Sequence, residues 1–126
     1  RSFTDAEKAT LIQTHNHPSG FAAFSDADLR VFFKTGIKEV RAVSVDGTSS
    51  FRHADLKGKR LTSTWFERTY KKLAPSIRDE VTAGLRSGAL SRNASPHSYF
   101  MDRMAKALAE ESKGKLIYER FSTTHR

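Results

Sequence analysis

Asp46-Gly47 stands between Ile37 to Val45 (IKEVRAVSV), which alternates in a strand-like way, and Thr48 to Arg52. An Asp-Gly pair in that setting is the strongest short-range signal for a β-hairpin. The segments around it are helical. Ser25-x-x-Asp28 is a capping box, and the helix it opens carries Leu29, Phe32 and Phe33 on one face and stops at Gly36. Ahead of it, Ala9 to Thr14 (ATLIQT) is too short for a helix and reads as a buried strand. His15 to Phe24 then forms a loop. A capping box at Thr4-x-x-Glu7 predicts a further short helix near Asp5.

The second half of the chain is richer in helix. Ser63 or Thr64 caps a helix with Trp65, Phe66, Tyr70 and Leu73 on its apolar face. Pro75 predicts a break at Ala74 and a new helix carrying Ile77, Val81 and Leu85, ending in the Gly84–Gly88 region. Arg86 to Ala94 reads as a loop. Ser95-Pro96 opens a last helix, with Phe100, Met101, Met104 and Leu108 facing the core and Gly114 at its end. Leu116 to Phe121 (LIYERF) is the expected last strand. The fold class is therefore α/β (α+β): a small mixed sheet, with a helix-rich C-terminal half.

A length of 126 residues fits one domain, with residues 1–56 as one half and 57–126 as a basic helical half ending in a strand. A domain of that size buries roughly two-thirds of its unfolded surface. With no cysteine in the chain, disulfides and thiolate metal sites are excluded. No apolar run approaches the length of a membrane span. The chain opens on Arg1 and is expected to be a segment of a longer protein. The net charge of +8 is uneven. Residues 1–51 carry six basic and six acidic side chains, residues 52–92 ten and four, and residues 93–126 six and four. The basic middle would attract a nucleic acid, an acidic partner protein or an anionic surface. Lys57, Lys59, Arg60, Arg68, Lys71 and Lys72 are its candidate phosphate contacts. A merely solvated basic face is the alternative.

The stretch Thr14 to Asp28 (THNHPSGFAAFSDAD) concentrates metal-ligand residues. If the strand continues into it, His15 and His17 fall on one face. Pro18 and Gly20 turn the chain, and the next helix returns Asp28 one turn in. Two imidazoles and a carboxylate make a three-ligand set with an open fourth position, the pattern of catalytic zinc. Alternatively, Asp28 serves only the backbone N–H groups of its helix, and the histidines are loop surface.

His15-x-His17-Pro18, six residues, then Ser25-x-x-Asp28 resembles the JAMM (MPN/JAB) metalloprotease motif, and HNHPSG is especially similar to RadC-type proteins. The run from Phe3 to Phe51, including Gly36-Ile37-Lys38-Glu39-Val40-Arg41 and Asp46-Gly47, also resembles JAMM-like domains of phage head-morphogenesis and polymorphic-toxin proteins. The resemblance implies a zinc-dependent hydrolase with one zinc ion on His15, His17 and Asp28. Ser25 would stabilise the oxyanion. It further implies an effector or toxin delivered into a target cell's cytoplasm, with an immunity or other acidic protein as its partner. The pattern calls for a general-base glutamate on an upstream strand. Glu7 is the sole upstream glutamate, and it falls on the expected short helix.

A second class stays open, a ribonuclease-like toxin or nucleic-acid-binding module without metal. General acid–base cleavage needs groups such as His97, Tyr118, Arg120 and His125, and the run from Tyr118 to His125 has a loose similarity to the last strand of small bacterial RNases. For these histidines, and for His53, an exposed or core role is the simpler account. The third class is a phage structural or interaction domain without catalysis.

Overall fold

The computed structural model describes residues 12–16, 23–45, 47–54, 60–92 and 94–122, with His15, Asn16 and Ser122 described by backbone alone. The expected helix near Asp5 lies outside them. Four strands form one sheet in chain order: β1 (Ile12–Asn16), β2 (Glu39–Ser44), β3 (Gly47–His53) and β4 (Leu116–Ser122). β1 and β2 are parallel, while β2–β3 and β3–β4 are antiparallel. The sheet is mixed, as the sequence predicts. Pairing of Ser44 with Gly47 leaves two residues between the hairpin strands.

A parallel pair needs a crossover. Here the crossover contains α1 (Asp26–Thr35), bounded by Ser25 and by Gly36 at φ 72°. That left-handed conformation is natural for glycine and costly for other residues. α1 buries Leu29, Phe32 and Phe33, as its spacing requires.

The two faces of the sheet differ. Across one face run the register pairs Val40↔Phe51↔Tyr118 and Ala42↔Ser49↔Arg120. Helices cover it: the Phe32 and Phe51 ring centroids are 5.2 Å apart. The other face carries Glu39, Arg41, Ser50, Arg52 and Glu119. Glu39 is buried there, and its Oε2 accepts from Arg41 Nε and from Ser50 Oγ, each at 2.6 Å. Burial opposes its charge. The Arg41 and Ser50 hydrogen bonds and the Arg52 guanidinium outweigh that and hold the carboxyl below its usual range.

α2 (Ser63–Ser87) and α3 (Pro96–Glu111) complete the cover. Lys72 pairs with Glu111 at 2.7 Å and Glu80 with Arg103 at 2.7 Å, the descending order of an antiparallel pair. Both are surface pairs and contribute little each. The apolar contact between the helices stabilises the pair more than these charges do. Phe66, Ala74, Ile77, Phe100, Met101, Met104 and Leu108 join α1 and the sheet in one core cluster.

The first strand runs on to Asn16, past the expected end at Thr14, and its Ile12, Gln13 and Thr14 side chains are exposed, not buried as the sequence predicts. Three helix boundaries also differ from the sequence reading. Thr62, not Ser63 or Thr64, caps α2: it is extended (φ −104°, ψ 169°) and its hydroxyl accepts from Trp65 N at 3.3 Å. Leu61 before the cap and Phe66 at the fourth helical position both pack into the core, the positions a hydrophobic staple uses. α3 stops at Glu111, before Gly114, because Ser112 ends it and its Oγ accepts from Leu116 N at 2.9 Å, leading into β4. Most notably, α2 runs unbroken through Pro75. The apolar stripe Phe66, Tyr70, Leu73, Ala74, Ile77, Val81 keeps helical phase across the proline, which itself faces solvent. Proline removes one hydrogen bond, to the Lys71 carbonyl, whereas a break would unseat the buried groups on both sides.

His53 sits inside this core at 6% exposure, stacked on Phe32 with centroids 4.4 Å apart. Its Nδ1 has no hydrogen-bond partner among the described residues. Burial, with the Arg60 charge second, pushes the imidazole down from 6.5 to about 4. The unfolded chain thus binds a proton near pH 6.5 that the folded chain refuses until about pH 4. This contribution is whole above pH 6.5 and is lost as the pH falls towards 4. The loss is about 3 kcal/mol at most. Urea unfolding from pH 8 to pH 4 is expected to show it, and His53→Phe to flatten it. Pro75→Ala is expected to raise stability by about 1–3 kcal/mol, read as a higher urea midpoint at unchanged slope.

Candidate functional site

The predicted metal motif straddles the end of β1 and the start of α1. β1 and β2 are parallel and α1 crosses between them, so the C-terminal end of β1 and the N-terminal end of α1 belong to the same edge of the sheet. In open α/β sheets this edge, outside the carboxyl ends of the strands, is where ligands bind. His15 takes the register position opposite Ala42. His17 and Glu7 lie outside the described residues.

Ser25 and Asp28 form the predicted box in full. Ser25 Oγ accepts from Asp28 N at 3.0 Å, and Asp28 Oδ2 accepts from Ser25 N at 3.0 Å. The box satisfies two N–H groups of the helix start and holds both side chains at the N-terminal edge of α1. The positive end of the helix favours the ionised carboxylate there. Phe24, immediately before the cap, is buried, with its ring 6.3 Å from Phe51 and 6.2 Å from Tyr118. The start of α1 is thereby seated over β3 and β4.

Tyr118 and Arg120, predicted as parts of a different, metal-free site, lie on the same covered face. Ala42, Ser49 and Arg120 share one register row with His15. The Tyr118 hydroxyl donates to Asp102 Oδ1 of α3, and Arg120 Nη1 stands 3.6 Å from that oxygen. Burial raises the Tyr118 phenol well above its usual value, and Asp102 adds to the shift through its charge and hydrogen bond. Tyr118 is therefore a neutral hydrogen-bond donor at physiological pH. Asp102 and Ser49, which bonds Tyr118, were not singled out from the sequence. The alternation Ser49-Phe51-His53 carried a signal for Ser49: a polar residue at an inward strand position. Asp102 lies between the core residues Met101 and Met104, at the margin of the apolar stripe of α3.

The other candidates scatter. His97 is on the first turn of α3, stacked on Phe100 at 6.5 Å. His125, Lys57 and Lys59 lie outside the described residues. Arg60 Nη1 donates to the Gly36 carbonyl at 2.7 Å and so closes the C-terminal end of α1. Arg68, Lys71 and Lys72 are exposed on consecutive turns of α2. Among the described residues Lys72 has Glu111 as its partner, and Arg68 and Lys71 make no ion pair.

Among the described residues no cluster of three or more His, Cys, Asp or Glu side chains is placed to hold a metal. Of the predicted ligand set, only the Asp28 side chain falls within them. No family model, curated protein or solved structure matches the chain.

Ser25→Ala is expected to lower stability by about 1 kcal/mol, within roughly 0.5–2, by removing the cap. Chemical denaturation at neutral pH checks it.

Proposed function

We propose that the chain is a JAMM-like zinc-dependent hydrolase module, of the kind found in effector, toxin or phage-associated proteins, with its centre at the C-terminal edge of β1. One observation supports this best. In the parallel β1–α1–β2 unit the C-terminal end of β1, where His15 lies, and the Ser25–Asp28 start of α1 belong to the same end of the sheet.

The donor set suits zinc: two imidazoles from His15 and His17 and one carboxylate from Asp28 would hold one ion. The Asp28 carboxylate is oriented by the Ser25 N–H, the outer hydrogen bond that ligating carboxylates commonly receive. A zinc ion held by these residues would supply Lewis-acid chemistry, lowering the pKa of a bound water to about 7. Ser25 Oγ accepts the Asp28 N–H, so its own hydroxyl proton is available to an oxyanion. Glu7 is the residue assigned to general-base work. Glu39 does not fill that role: it opens β2 opposite Ile12, at the far end of β1 from the motif, and is engaged by Arg41 and Ser50. The partner consistent with a basic toxin module is an acidic immunity-type protein.

A second reading, a nucleic-acid-targeting module, is favoured by the exposed Arg68, Lys71 and Lys72 stripe on α2. It predicts binding that weakens steeply with salt and ignores chelators.

Metal analysis of the purified protein decides between them. The expected result is one zinc per chain, lost in His15→Ala/His17→Ala and weakened in Asp28→Asn while the fold persists by circular dichroism. Wild type without zinc after reconstitution, or zinc retained in the double variant, overturns the hydrolase reading.

A further inference from the structure

The groove between α2 and α3 lies outside the edge just described, and all of its lining residues come from these two helices. It encloses about 310 Å3. That is the lower end of the range for small-molecule sites, about 300–1,000 Å3. Its walls are apolar and partly aromatic: Tyr70, Val81, Leu85 and Phe100. Val81 and Phe100 are buried and Tyr70 is half-buried, its hydroxyl 3.7 Å from Met101 Sδ, so this floor is fixed by the core.

Among the described lining residues the one formal charge at the groove is the Arg78 guanidinium. The Arg78 guanidinium stands 5.7 Å from the Phe100 ring centroid. His97 stacks on the same ring, centroids 6.5 Å apart and planes inclined by 20°. Among the described residues no acidic side chain lines the groove, and Arg78 makes no ion pair. Elsewhere on these helices Lys72, Glu80, Arg103 and Glu111 are paired. Pro96 and His97 also bring the first turn of α3 to the rim, where the helix dipole adds to the positive potential.

We propose that this groove is a binding site for a small aromatic carboxylate. The ring would lie among Tyr70, Val81, Leu85 and Phe100, and the carboxylate would meet Arg78 in the bidentate geometry that guanidinium favours. His97 closes the rim beside it. The ring preference follows from the walls, and the anion preference from Arg78, which stands against the Phe100 ring and makes no ion pair among the described residues. A neutral apolar ligand would gain nothing from Arg78, and a bare anion would leave the walls wet.

The test is an amide-resolved NMR titration of the whole chain with 3-phenylpropionate, beside 3-phenylpropanol and acetate as controls. A saturable response at α2 and α3 groove residues is expected, with a Kd on the order of 1 mM for so small a ligand. Arg78→Gln, which keeps the stem, is expected to weaken it about tenfold or more. Thr82→Trp, which fills the groove from its rim, is expected to abolish it. His15→Ala/His17→Ala is expected to leave it unchanged, which separates this site from the hydrolase reading. Three outcomes would overturn the assignment: acetate or 3-phenylpropanol binding as tightly as the acid, an Arg78→Gln variant with wild-type affinity, or a response confined to other residues.

Discussion

Phe51 stands in the middle of β3 with Val40 on one side in register and Tyr118 on the other, and the rings of Phe24, Phe32 and Phe33 close over it at centroid distances of 5.2–6.3 Å. Edge-to-face and tilted pairs at such distances contribute beyond their buried area. The consequence is positional. Phe32 and Phe33 hold the body of α1 to the sheet, and Phe24 fixes where the chain enters that helix. The Ser25–Asp28 box is therefore set by the core, although its own side chains are only half-buried. The Asp28 carboxylate is thus positioned by the rings packed on Phe51 as well as by its own hydrogen bond to Ser25 N.

The second layer obeys a different logic. α2 and α3 hold each other along an apolar seam that continues across Pro75, and the ion pairs at the seam's margins order the surface more than they stabilise it. The missing hydrogen bond of Pro75 is a local cost of a few kcal/mol at most. Interrupting the seam would expose Ala74 and Ile77 on either side, which burial disfavours more strongly. Local propensity loses here because tertiary packing acts over the whole helix.

Much of the fold was legible because its punctuation is chemical. Ser25-x-x-Asp28, Gly36, Asp46-Gly47 and Ser95-Pro96 each satisfy or terminate backbone groups in a way few other residues can, and the elements they bound stand close to where the spacing puts them. What sequence could not give is contact between distant segments. Tyr118 and Arg120 drew attention by residue type, but Asp102 joins them only because α3 lies against β4. Arg60 looked like one more cation of a basic connector, and its guanidinium instead closes α1 at the Gly36 carbonyl. Charge counts along a chain do not distinguish a cation spent on a helix terminus from one presented to a partner.

That distinction also bears on how the two chemistries relate in space. Phe24, immediately before the Ser25 cap, rests on Tyr118 with ring centroids 6.2 Å apart. The Tyr118–Asp102–Arg120 group and the Ser25–Asp28 box are consequently neighbours through one aromatic contact, although the residues come from α1, α3 and β4. Within the first group the Tyr118 phenol stays neutral and donates to the Asp102 carboxylate, with the Arg120 guanidinium beside that oxygen. A shift of Phe24 would move both groups together, so the aromatic core, rather than the polar groups themselves, fixes the distance between them.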